Sequence, residues 1–532
     1  MKKLVIIVVV LAAVLLVAPF GIGKVAEKRL NADLDKFVEQ VPYFKITERT
    51  WSGGWFKSTQ TVTLELSDEL GKLMGDQAEG QVGANEEAEA AAAMDAEGTQ
   101  MTPVADQEEA APEEAAAAAE DSAGDAGSDD AAAAGRAMAE AAKGFRFTVR
   151  NDVLHGPVLG AAGVGLARVD THVELSDEVS KKIEEVFGTA KPAFEMRTRV
   201  GFFGGGTTTF KSEGRKLNVK NKNVDFTYDT FKMSVGFSRN ADSYDIGGGL
   251  PRIEVRDSGD GTHFTLQDLS LDGEGKRVRG DLYDGDFAIQ VKEVKIEGKG
   301  GTESVVLQDA HYIVDQKTKD DFVNMAAKFG TGAVQSDDLK KINLEVKEIN
   351  YDFSLRHLHA PTLEKIMTGV KAGYTMSLTD PSKVEQAVFG PMKEHVGELL
   401  QHDPEFGIDR IGLVTPEGEI VARGVIKFVG ATPEDFSAPG GMALIGKVDA
   451  DITIEAAQKV LEKIPNGATM AGGAIDSGYA KRDGDKLVCH ITFKAGELLI
   501  NGKPQAIPGL GGPPPGAVSD GAGEDSGTTP QE

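Results

Sequence analysis

Alternation with a period of two governs most of this chain. In TQTVTLEL, Val62, Leu64 and Leu66 fall on one face while Thr61, Thr63 and Glu65 fall on the other. The pattern returns in KLNV (216–219), VDFTY (224–228), MSVGF (233–237), RIEV (252–255), HFTLQDLSLDG (263–273), FAIQVKEVKIEG (287–298) and SVVLQD (304–309). Polar or glycine-bearing turns such as DSGDG and DGEGK separate these segments. Successive side chains of a strand point to opposite faces, so each segment predicts a half-buried strand. Short strands at this spacing predict an antiparallel meander, and a sheet that long must twist, curl or pack on something.

Helical spacing interrupts the meander at 176–187, 318–329, 362–370, 381–401 and 454–464. Thr318 reads as an N-cap with Asp320 and Asp321 in the first turn, which suits a helix dipole. Two further hairpins are predicted at 408–429, turning at Pro416-Glu417-Gly418, and at 487–502, turning at Ala495-Gly496. The fold class expected is therefore α+β and strand-rich. It consists of a single N-terminal transmembrane helix, a long antiparallel, curved, meander-like sheet with several packed amphipathic helices, and a disordered acidic insert and tail.

The transmembrane expectation rests on residues 4–22, Leu4 to Ile22, which carry no charge. Nineteen helical residues span roughly 28 Å, close to a hydrocarbon core of about 30 Å. A cleaved signal peptide fits less well, because Leu16 or Lys24 would occupy the position that needs a small residue. Lys2 and Lys3 place the N-terminus in the cytoplasm and the body in the periplasm, although Lys24, Lys28 and Arg29 oppose them. Residues 24–41 follow as an amphipathic helix through Val25, Leu30, Leu34, Phe37 and Val41. It either packs on the body or pairs with a second copy.

The chain carries 57 basic and 84 acidic residues, a net of −27. Residues 75–143 hold eighteen acidic and two basic residues and no aromatic one, so most of the excess lies there. Such a segment cannot bury enough apolar area to offset chain entropy. An acidic surface repels phosphate backbones, which excludes nucleic acid as a partner. With one cysteine, Cys489, no intramolecular disulfide forms. The organisation expected is an anchor (1–23), a juxtamembrane helix and first strand pair (24–74), a disordered insert (75–143), a strand-rich body (144–510) and a disordered tail (511–532). The body divides into subdomains of about 144–310 and 311–510.

Several fragments in order resemble the YdgA-like family of bacterial inner-membrane-anchored proteins of unknown function. They are the anchor, GWFKS with its strand (54–66), NDVLHGPVLG (151–160), LRHLHAPTLEKI (355–366) and DGDKLVCHITFKAGELLINGKP (483–504). The resemblance implies an inner-membrane protein with a periplasmic body and a homodimeric state. It implies no catalytic residue. Both tryptophans, Trp51 and Trp55, fall in the first strand pair, where they fill the end of the core or serve as membrane-interface anchors.

No reaction and no cofactor fingerprint are legible. The residues weighed for chemistry are His155, His357, His359 and His402. His357 and His359 are two apart in a strand-like RHLHA, but no neighbouring cysteine or carboxylate cluster completes three or four metal ligands. His155 opens a His-Gly-Pro turn, and His402 stands at a helix C-terminus. GFFGGGTTTF (201–210) lacks the lysine and strand–loop–helix setting of a phosphate loop. The function expected is a non-enzymatic, membrane-anchored scaffold or binding module that takes a lipid or an envelope protein on its sheet. The alternative is an envelope hydrolase or metal-dependent enzyme built on the four histidines.

Overall fold

The computed structural model describes residues 44–66, 146–177, 194–219, 223–259, 261–299, 304–377, 384–437 and 442–506, together with 19, 21–32, 34–39, 41, 180, 181 and 184. The expected insert at 75–143 and tail at 511–532 lie outside the described residues.

Among the described residues 23 strands form one antiparallel sheet. Its first part comprises β1 (Phe44–Gly53), β2 (Lys57–Leu66), β3 (Arg146–His155), β4 (Ala167–Leu175), β5 (Phe194–Val200) and β6 (Gly206–Ser212). The middle comprises β7 (Arg215–Val219), β8 (Val224–Tyr228), β9 (Phe231–Phe237), β10 (Ser243–Asp257), β11 (His263–Arg279), β12 (Leu282–Glu297), β13 (Ser304–Lys319), β14 (Phe322–Thr331) and β15 (Val334–Ser336). The last part comprises β16 (Glu348–His359), β17 (Glu405–Thr415), β18 (Gly418–Phe428), β19 (Val448–Ala457), β20 (Lys481–Asp483), β21 (Lys486–Lys494), β22 (Glu497–Ile500) and β23 (Lys503–Gln505). Nearly every strand pairs with its neighbour in sequence. The exceptions are local: β7 and β8 form a side hairpin, so β6 pairs with β9 while β8 and β9 share β10; β14 passes over β15 to reach β16; and β19 passes over β20 to reach β21.

Two helices, Ala360–Ser377 and Val384–Leu400, form a hairpin that leaves the sheet at the end of β16 and returns at β17. Leu363 and Leu399 of this hairpin pack on Leu282, Val323 and Leu358. A second cluster, Leu344, Val346, Ala457 and Val460, covers Ile349, Leu413 and Ile420.

The expectation of a membrane-spanning helix from Leu4 to Ile22 is corrected. Among the described residues no helix is long and apolar enough to cross a membrane. Residues 4–18 lie outside the described residues. Ile22, the expected end of the span, packs instead on Val153, Ala167 and Val169 of the sheet. Residues 21–32 and 34–39 are helical and belong to the body. Spacing of four turns Ile22, Ala26 and Leu30 onto the sheet and leaves Val25, expected on the apolar stripe, 65% exposed.

A second correction concerns 318–329. This segment is the end of β13, a tight turn and β14, not a helix. Asp320 takes a left-handed conformation (φ 56°), so the two aspartates close a hairpin rather than open a helix. Similarly, 454–457 completes β19 before a short helix at Gln458–Lys463.

Candidate functional site

The N-terminal helix lies on the face of β2–β4 that buries Ser58, Gln60, Val62 and Leu64. Three kinds of contact hold it. Ile22, Ala26 and Leu30 join Trp51 on the Val153–Ala167–Val169 cluster. Asp35 pairs with Arg49 of β1, and Phe37 stacks on Phe44 with ring centroids 6.1 Å apart. Asn31 accepts a hydrogen bond of 2.8 Å from Gln60 Nε2.

That last contact begins a polar ladder across register-paired residues. Gln60 Oε1 accepts from Asn151 Nδ2 at 2.8 Å, and Asn151 Oδ1 accepts from the Thr171 hydroxyl at 2.7 Å. Gln60, Asn151 and Thr171 are all buried, so each bond satisfies groups that water cannot reach. Close by, His155 Nδ1 donates to the Trp55 carbonyl at 3.1 Å, and its Nε2 accepts from the Ser58 hydroxyl at 3.0 Å. Both side chains are buried, and the ring lies against Gly23 of the helix.

Beside these contacts a groove of about 920 Å³ remains open between the helix and β2–β5. Val25, Leu30, Leu34, Val62, Val169 and Met196 line it, and the loop at 237–241 closes one side. The volume lies within the roughly 300–1,000 Å³ typical of small-molecule sites. A second concavity of about 980 Å³ shares Thr171 and Met196 with the first and is lined by both apolar groups, such as Phe210 and Met233, and charged ones, of which Arg197 is paired with Asp170.

Met196 of the groove also starts an apolar register row. Met196 pairs with Phe210, Phe210 with Met233, Met233 with Gly248, and Gly248 with Leu271. Leu271, Ile289, Tyr312, Phe329, Tyr351 and Ile411 are then direct partners on successive strands. Tyr312 and Phe329 rings stand 4.5 Å apart. The helical clusters cover the strands toward their ends, whereas Phe329 and Tyr351 are each about half exposed, at 47% and 48%.

Three of the four histidines converge elsewhere. His357 takes a left-handed conformation (φ 59°) at a bulge between β14 and β16, and its amide donates to Asn324 Oδ1. Its ring stacks on Phe322 at 3.8 Å and its Nδ1 donates to the His402 carbonyl at 2.7 Å. His359 stacks on His402 at 3.7 Å. His359 Nδ1 and the Thr362 hydroxyl share a hydrogen bond of 2.8 Å. Burial, and after it His402, pushes the His359 pKa below its ordinary 6.5, while Glu398 and Asp321 pull upward and Arg279 adds to the depression. His155 stands apart, in the β3 corner under the helix. Among the described residues no group of three or more His, Cys, Asp or Glu could hold a metal ion.

Residues 1–508 match the model of a family described as "Bacterial protein of unknown function (DUF945)". The chain belongs to the DUF945 family. No curated protein and no solved structure matches it. The DUF945 match supports the bacterial, unknown-function part of the resemblance to YdgA-like proteins.

In this DUF945 chain the groove, Ser58 and the polar ladder escape a reading of the sequence. Gln60 and Asn151 are 91 positions apart, and only the register of β2 on β3 makes them partners. Their one visible signal is polarity at positions where the strand alternation expects an apolar side chain.

The stacked histidines carry a pH prediction. With the His359 pKa depressed in the fold, the unfolded chain binds more protons in the window just below 6.5. Its contribution to stability is complete above that value and is lost as pH falls through the folded value. Hydrogen exchange within β16 and the helix Val384–Leu400 should therefore accelerate on going from about pH 7.5 to about pH 5.5, beyond the intrinsic chemical dependence. His359→Gln should flatten that response. An identical response in both proteins would remove the stack from the account.

Proposed function

We propose that this chain is a non-enzymatic binding module of the bacterial envelope that holds the hydrocarbon chain of a lipid. The groove between the N-terminal helix and β2–β5 carries this reading. Its walls are mostly apolar, with Gln60, Asn151, Thr171 and Thr198 among the polar exceptions, its volume suits a small molecule, and Val25, which is 65% exposed, is one of its lining residues. The register row from Met196 to Ile411 supports the reading, because it extends apolar surface away from the groove without a break in pairing.

Native mass spectrometry of the purified full chain tests the proposal. The wild type should carry a lipid-sized adduct, and Val25→Asp, which sets a charge into the groove at an exposed position, should lose it. A clean apo mass for the wild type after gentle extraction would overturn the reading.

A further inference from the structure

The charge lining the groove narrows its ligand further. Among the described residues around it, Arg29 is the single charged one. This occurs in a chain with 84 acidic residues against 57 basic ones. Lys24 of the same helix pairs with Glu27, and Arg49 of β1 pairs with Asp35; neither lines the groove. Arg29 is exposed and makes no ion pair with a described residue. It follows Val25 by four positions, so the two share one helix side, with the guanidinium above the apolar wall.

We propose that the groove takes a single-chain amphiphile with one anionic head, of the fatty-acid class, whose carboxylate is bound by Arg29. This inference rests on the reading of the groove as a hydrocarbon site. A planar guanidinium presents a fork of donors that matches a carboxylate, and one cation balances one negative charge. The apolar tail lies against Val25, Leu34, Val62 and Met196, and the head stays at the helix edge, where water still reaches it. Neither a second carboxylate nor a metal is needed to complete the pairing.

Equilibrium binding of oleate and of oleyl alcohol to the full chain, measured at low and at high salt, provides the test. The two probes share a tail and differ in head charge. The wild type should bind oleate about ten-fold more tightly than the alcohol, roughly one charge-assisted contact. Arg29→Gln should bring the two affinities together, Arg29→Lys should keep part of the difference, and salt should reduce it. Equal affinity of the wild type for both probes overturns the head-group assignment and leaves the hydrocarbon site standing. Failure of both probes to bind overturns both readings. Arg29 is exposed, so the variants keep the fold, which circular dichroism checks directly.

Discussion

Replacing Gly23 with leucine is expected to lift the N-terminal helix from the sheet, so that trypsin cleaves at Lys24, Lys28 and Arg29 about 30-fold faster, equivalent to roughly 2 kcal/mol. A Cβ at position 23 would stand 3.0 Å from His155 Nε2 and closer still to Cε1. His155 cannot step aside, because it is buried and its two ring nitrogens are bonded to Ser58 and to the Trp55 carbonyl. Overpacking a closed site costs about 1–3 kcal/mol, more than the helix gains by losing a glycine, up to about 1 kcal/mol. Limited proteolysis of the full chain measures the outcome, with hydrogen exchange in β2–β4 as the second readout. Unchanged protection in both would mean that the helix does not depend on this close approach.

Asn151→Leu should cost more than its change in size suggests. It strands Gln60 Oε1 and the Thr171 hydroxyl in a place water does not reach. Each orphaned buried group costs about 1–3 kcal/mol, so a loss of about 2–4 kcal/mol is expected by denaturant titration of the unit containing β2–β4. Replacing the whole ladder, with Gln60→Leu, Asn151→Leu and Thr171→Val together, should recover much of that loss, since no unpaired partner remains and Asn31 is only half-buried. If the triple variant were as unstable as the single one, packing rather than hydrogen bonding would explain the cost. The ladder also fixes register: a slip of β3 by one residue would send Asn151 to the outer face and Asp152 inward.

The strands were legible because alternation is a local signal. Val62 and Leu64 are buried and Thr61 and Thr63 less so, as their spacing expects. The failures have physical causes. In 318–329, Phe322, Met325 and Phe329 are spaced as on a helix, yet β14 pairs residue for residue with β13 from Phe322 to Gly330. Pairing with β13 and β16 outweighs that local preference. Ile22 ends an apolar run in the sequence, yet the helix it belongs to packs on Val153, Ala167 and Val169. Besides the nearby β2, the groove depends on the helix meeting β3–β5, which begin more than 100 positions downstream, and nothing local encodes such a meeting.

A sheet in which almost every strand touches only its neighbours in sequence has a mechanical consequence. Strands far apart in the ladder share no backbone hydrogen bonds, so damage to one rung stays near it, as in linear repeat proteins. The two ends differ in exposure to wrong partners. β23 is three residues long and contains Pro504, which cannot donate a ladder hydrogen bond. β1 is ten residues long and carries Lys45, Glu48 and Arg49 along its length. A brief, proline-blocked border at one end and a charged one at the other discourage another molecule from adding its own strand, so the chain keeps a long ribbon of paired backbone without seeding a fibre.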